Sequence, residues 1–271
     1  MGVCDWVLVR DDIDGNNDCY YLLNGGYSMI ENMNQYLDFT SLKPCNRKEV
    51  DRFLQSALSA RVGAVCIETG WVYHAKTKLA GSGIKIVTVP NWKRGGGLVN
   101  MAGISEGVCK QVDEVDFIWD VSLFGISKDW RSLLKEIEVV RKMTPGVLKI
   151  IIETSFIRGM AYKVNLKYES LIKAACKLVN MSGADWIKTD SGLFTRPDFR
   201  VMSEGTTLTL GPSAILEEDI TLMKKWSKKP IKASAGIRTY EQAEELIKLG
   251  AQRIGTSSLQ VLVPSPEVRS V

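Results

Sequence analysis

Two lysines stand where the apolar pattern of a short buried strand should continue. Lys188 lies in WIKTDSGLF (186–194) and Lys232 in PIKASAGIR (230–238), and each run stops at a small-residue turn, Ser-Gly or Ala-Gly. Burying an ammonium is costly, and chains seldom do it without pairing or function. Side chains alternate faces along a strand, so Lys188 shares a face with Trp186 and Asp190, and Lys232 with Ser234. In a third run, EVDFIWDV (114–121), Asp116 shares a face with Ile118. A lysine attacks a carbonyl only as the free amine, while its reference pKa is ~10.4. Burial and a neighbouring cation both favour the free amine. Lowering a lysine by ~3 units takes ~4 kcal/mol, within reach of a buried pair. The imine that results draws electrons from the adjacent carbon, so C–C bonds there can break or form. An aspartate beside the second lysine would supply the proton transfers. The plain alternative is that both lysines are structural, ion-paired or with their stems buried and heads in water.

Bringing these residues together needs a particular arrangement of elements. From about residue 36 the chain alternates apolar runs with amphipathic segments. The runs are YLDFT (36–40), VGAVCIE (62–68), IKIVTVP (84–90), EVDFIWDV (114–121), LKIIIET (148–154), DWIKTD (185–190), PIKASA (230–235) and RIGTSS (253–258). Helical patterns lie between them, including KEVDRFLQSALSA (48–60), WRSLLKEIEVVRKM (130–143), YESLIKAACKLVNM (168–181) and TYEQAEELIKLG (239–250). In the last, Thr239 and Gln242 form a capping-box pattern, and Gly250 sits where a left-handed C-terminal residue belongs. Such alternation predicts a (β/α)8 TIM barrel over residues 36–271, with residues 1–35 as an N-terminal extension. YSMIENMNQ (27–35) is expected to be a helix capping the barrel bottom. A doubly wound sheet is disfavoured, because no G-x-G-x-x-G follows the first strand. In a TIM barrel chemistry sits at the C-terminal strand ends, where Asp116, Lys188 and Lys232 would converge.

Composition narrows the class. The 271 residues are 45% hydrophobic and 24% charged, ordinary for a soluble globular chain. Net charge is +4, spread without a basic run, which argues against nucleic acid as a partner. Six cysteines at 4, 19, 45, 66, 109 and 176 contain no C-x-x-C pair, so no zinc site or disulfide framework is expected and the thiols read as cytoplasmic. Neither a signal peptide nor a membrane-spanning run is visible. No metal-ligand cluster stands out, and imine chemistry needs neither metal nor other cofactor.

Anion binding has its own signal. Glycine turns and helix N-termini turn backbone N–H groups toward a phosphate, and TIM barrels often place one after strands seven and eight. Those loops are AGIR (235–238), with Gly236 and Arg238, and GTSS (255–258), with Gly255. His74 reads as a surface or packing residue in a helix, and Lys149 with Glu153 as a structural ion pair. GGG (95–97) reads as a flexible or ligand-facing loop.

At this point a family likeness emerges. LDFTSLKP (37–44), VGAVCIETGWV (62–72), EVDFIWDV, KIIIET (149–154), WIKTDSG and IKASAGIRTYEQAEELIKLGAQRIGTSS (231–258) together resemble the class I deoxyribose-phosphate aldolases over residues 36–260. The resemblance implies a lyase that reversibly cleaves 2-deoxy-D-ribose 5-phosphate to acetaldehyde and D-glyceraldehyde 3-phosphate, in the cytoplasm, as a homodimer or larger. It implies that Lys188 forms the imine while Lys232 and Asp116 tune it and relay protons. It adds Thr189, Gly192, Ser257 and Ser258 to the substrate-binding residues, and places Cys66 near the pocket, where it reads as packing. Alternatives are a related aldolase acting on another sugar phosphate or aldehyde pair, and a catalytically silent sugar-phosphate-binding barrel.

The chain also departs from the family pattern. Asp190 replaces the usual Ser or Thr, Ala235 replaces the first of two glycines, Asp120 stands where Asn is common, and the 193–214 loop is long. Asp190 is expected to bind a substrate hydroxyl beneath that loop acting as a lid.

Overall fold

The computed structural model describes residues 7–10, 19–22, 30–43, 46–92, 97, 106–193, 200–203, 206–209 and 217–264. Eight parallel strands close a barrel: β1 (Leu37–Ser41), β2 (Ala64–Ile67), β3 (Lys85–Thr88), β4 (Glu114–Ile118), β5 (Val147–Ile151), β6 (Trp186–Lys188), β7 (Ile231–Ser234) and β8 (Arg253–Thr256). Each strand pairs with its sequence neighbours, and β8 returns to β1. The expected (β/α)8 barrel is therefore the observed fold. Strands covered on both faces read as near-continuous apolar runs, which is why AVCI in β2 is buried throughout.

The helices are α1 (Arg47–Ala60), α2 (Val72–Lys78), α3 (Glu106–Cys109), α4 (Val121–Gly125), α5 (Trp130–Met143), α6 (Thr154–Lys163), α7 (Tyr168–Met181), α8 (Glu217–Trp226) and α9 (Tyr240–Lys248). Helix α1 shows how sequence sets their pose. Val50, Phe53, Leu54 and Ala57 recur at helical spacing and are buried, and Phe39 of β1 stacks on Phe53 at 4.5 Å. Asn46 starts the helix by accepting from Glu49 N at 3.1 Å. The capping box of α9 forms as expected, and Gly250 takes a φ of 121°.

One reading changes. Residues 27–35 do not form a helix across the described part; Met33–Tyr36 makes one 3-10 turn instead. Asn34 and Gln35 side chains donate to the carbonyls of Ala60 and Arg61, tying this turn to the end of α1. Upstream, Val7–Arg10 pairs antiparallel with Cys19–Leu22. Of the 193–214 loop, Arg200–Ser203 pairs antiparallel with Thr206–Thr209, and the lid reading falls largely on residues outside those described. No described helix is long and apolar enough to cross a membrane.

Candidate active site

Register brings the two lysines side by side. Lys232 is the Cα partner of Lys188 on β6 and of Arg253 on β8, so three cations stand in a row. Across the barrel, Asp116 is the partner of Lys149. Lys188 Nζ and Lys232 Nζ each donate to Asp116 Oδ2 at 2.8 Å. Asp116 Oδ1 accepts from Lys149 Nζ at 3.0 Å. Lys232 also donates to Asp38, which accepts from Arg253 as well. Asp116, Lys188 and Lys232, expected together, are together.

The charges explain each other. Asp116 is fully buried, which alone would raise its carboxyl, but Lys149, Lys188 and Lys232 hold it well below the usual range. Burial works to lower Lys232, yet Asp116 and Asp38 outweigh it and keep the ammonium charged. Lys188 differs from its neighbours. Among the described residues Asp116 is its one carboxylate partner, and its side chain retains 6% exposure where those of Lys149 and Lys232 have none. It is the amine most open to an incoming carbonyl. Cys66 is buried beside this group and its thiol is pushed up to about 11 by burial, so it stays protonated, as a packing residue would.

The placement of Asp190 on the Lys188 face is corrected, and Thr189 has partners within the barrel. Strand β6 ends at Lys188, so two-residue alternation does not carry on to Asp190. Instead the Asp190 carboxylate accepts from Ser155 N at 3.2 Å, Ser155 Oγ at 2.7 Å and Thr154 Oγ1, at the N-terminus of α6. Unsatisfied helix N–H groups draw an acceptor there. Thr189 Oγ1 donates to Ser234 O and accepts from Ser234 N, both at 3.0 Å, stitching β6 to β7. Both residues are fully buried. Glu153 is corrected too: Lys149 pairs with Glu114 and Asp116, whereas Glu153 accepts from Ser191 N at 3.2 Å and hydrogen-bonds Asp190. Burial and the adjacent Asp190 raise Glu153 well above the usual carboxylate range, so it keeps its proton.

The expected phosphate loops divide. Gly192 and Gly236 have φ of 79° and 77°, the left-handed turns that let backbone amides converge. Gly236, Arg238 and Ser257 are exposed. The N–H groups of Arg238 and Thr239 already donate to Gln242 Oε1, at 2.9 and 3.2 Å. Ser258 Oγ accepts from Gln260 N at 3.2 Å as the cap of a 3-10 turn. Gly255 faces inward: a Cβ there would meet Ser234 Cβ at 2.7 Å and Lys232 Cε at 3.1 Å. Its absent side chain makes room for the lysine stem. His74, read as a surface or packing residue, is half-buried and hydrogen-bonds Asp51 at 2.8 Å. In the 95–97 turn only Gly97 is described; it donates to Ile118 O at 2.9 Å.

No family model matches the chain. A deoxyribose-phosphate aldolase of Mycoplasmopsis pulmonis is 34% identical over 244 residues, which is 88% of this chain and 98% of the relative. A second, from Brevibacillus brevis, is 33% identical over 84% of this chain and 93% of its own length. The chain belongs to the deoxyribose-phosphate aldolase family. Among solved structures, the aldolase QR15 superposes with a TM-score of 0.68 at 27% identity, covering 89% of this chain and 97% of its own.

Within the aldolase family's pattern, the departures now have physical settings. Ala235, where the family pattern has glycine, holds a φ of 90°, a conformation that favours glycine. Asp120 caps α4, accepting from Ser122 N at 2.8 Å and Leu123 N at 3.3 Å. The sequence reading missed Asp38, Glu114 and Arg253 as members of the aldolase barrel's charge network. The signal was present, since each is a charged residue inside an apolar run, but only barrel closure shows that they meet.

Proposed function

We propose that this chain is a class I aldolase that cleaves 2-deoxy-D-ribose 5-phosphate to acetaldehyde and D-glyceraldehyde 3-phosphate, with Lys188 as the imine-forming amine. The observation that carries it is the pairing of Lys188 and Lys232 on one oxygen of Asp116, at 2.8 Å each. The family's relatives are named for this substrate.

The free amine of Lys188 adds to the C1 aldehyde, and loss of water gives a protonated imine. A base takes the proton of the C3 hydroxyl, the C2–C3 bond breaks, and its electron pair moves into the iminium to leave an enamine. Glyceraldehyde 3-phosphate departs. Protonation of the enamine carbon and hydrolysis then release acetaldehyde and restore the amine. Asp116 accepts and returns protons at the Lys188 nitrogen, and the charged Lys232 beside it disfavours a second ammonium. The turns at Gly192 and Gly236, with Arg238 and Ser257 nearby, receive the phosphate. Self-association belongs to the same reading; Tyr162, Val164 and Leu166 are exposed apolar residues at the end of α6, 92%, 52% and 48% open. Light scattering at a monomer's 30.1 kDa would remove that part.

The test is borohydride reduction in the presence of 2-deoxyribose 5-phosphate, followed by peptide mass mapping. A reduced adduct on Lys188 with release of acetaldehyde supports the reading. An adduct on Lys232, or turnover without an adduct, overturns it.

A further inference from the structure

Beneath the reacting amine lies a pair of opposite charges with no part in the imine steps. Glu114 opens β4 and Arg253 opens β8, both at the N-terminal end of the barrel. Arg253 donates to Asp38 and, at 3.0 Å, to Glu114 Oε1. Glu114 also accepts from Lys149, and Lys85 of β3 reaches it at 3.4 Å from a side chain 53% exposed to water.

Within this bonded network the charges do not balance. Asp38, Glu114 and Asp116 are three carboxylates; Lys149, Lys188, Lys232 and Arg253 are four buried cations. Cys66 of β2, which also lies against the network, is a neutral thiol; the buried Asp190 and Glu153 bond to the start of α6, to Ser191 and to each other rather than to these cations; and Lys85 is screened by solvent. A poorly solvated interior disfavours net charge, so one proton is in surplus. Arginine cannot release it. Lys232 lies between two carboxylates, and Lys149 touches Glu114 and Asp116 with Asp38 at 3.8 Å. Lys188 has Asp116 alone among the described residues, and shares it.

We propose that Arg253 and Glu114 are positioning residues for the imine chemistry: as fixed charges at the barrel floor they make Lys188 the surplus cation and so set the pH at which it becomes a nucleophile. This rests on Lys188 being the reacting amine. Arg253 is two strands from Lys188 through Lys232, roughly 10 Å at ~4.8 Å per strand. At an effective dielectric constant of about 20, a unit charge at that range moves a proton equilibrium by on the order of one pH unit.

The sign of the effect is the test. The rate of cyanoborohydride trapping with acetaldehyde is followed across pH, and the midpoint of its ascending limb is compared between variants. Arg253→Gln removes a cation, so Lys188 stays charged longer and the midpoint moves up. Glu114→Gln removes a carboxylate and the midpoint moves down. Arg253→Lys and the double variant Glu114→Gln/Arg253→Gln keep the net charge and stay near the parent midpoint. Should a single variant fail to fold, these two carry the comparison, and a displaced midpoint in either overturns the proposal. Shifts of the same direction in both single variants, or none, also overturn it. An adduct that maps to another lysine would sink the parent reading instead.

Discussion

At the residue scale, three side chains carry the proposed chemistry and each has a distinct expected failure. Lys188→Met removes the nucleophile, so mass mapping should find no reduced adduct and turnover should vanish. Lys232→Leu leaves Asp38 and Asp116 short of a cation, so both hold the remaining ammonium groups more tightly. Trapping near neutral pH should slow and recover as pH rises. Asp116→Asn should cost on the order of 10²–10⁴ in kcat if proton transfer passes through it. Wild-type rates in both variants would make the pair merely structural. These three were legible in sequence because a charge inside an apolar run is conspicuous. Asp190 was misread because alternation was carried two residues past the last strand residue, where α6 claims the carboxylate. Asp190→Ala should therefore lower stability by about 1–3 kcal/mol in urea unfolding while leaving KM nearly unchanged. A large rise in KM with normal stability would restore the substrate-hydroxyl role.

At the element scale, the strand ends do the positioning. The turn after β7 holds Ala235 at a φ of 90°. An L side chain is strained there, so Ala235→Gly should raise stability by about 1 kcal/mol, read as a higher denaturant midpoint at unchanged slope. A fall would mean the alanine methyl packs better than its backbone suffers. Gly255 on β8 shows the reverse case, since an added methyl meets Ser234 Cβ at 2.7 Å. Gly255→Ala should cost about 1–3 kcal/mol and displace the Lys232 stem, lowering kcat. The alternation of runs and amphipathic segments made the barrel and α5, α7 and α9 readable. The stretch 27–35 was not, because an apolar Met and Ile pattern that short fits a helix as well as the single turn seen at Met33–Tyr36. No local pattern reports the register that sets Lys188 beside Lys232 and Arg253.

At the scale of the whole molecule, three buried acidic groups pull stability in opposing directions with pH, two one way and one the other. Asp38 and Asp116 are shifted down in the fold, so the unfolded chain binds more protons near pH 4. Their contribution is complete above the unfolded value of ~3.9 and is lost as pH falls below it. Glu153 is shifted up, so the folded chain holds the extra proton, and stability declines as pH rises past ~4.3 toward its folded value. Glu153→Gln keeps an uncharged group at all pH and should flatten that decline, as thermal midpoints across pH 5–8 would show; an unchanged slope would assign it elsewhere. The enclosure of the charge column has a further consequence, visible in salt. Counter-ions screen charges that face water and scarcely reach those sealed from it. The Lys188 network lies inside the barrel, whereas Arg238 and Gly236 lie open. Raising ionic strength should therefore weaken capture of the phosphorylated substrate while the ascending pH limb of imine trapping stays where it was, separating docking from chemistry with nothing more than added sodium chloride.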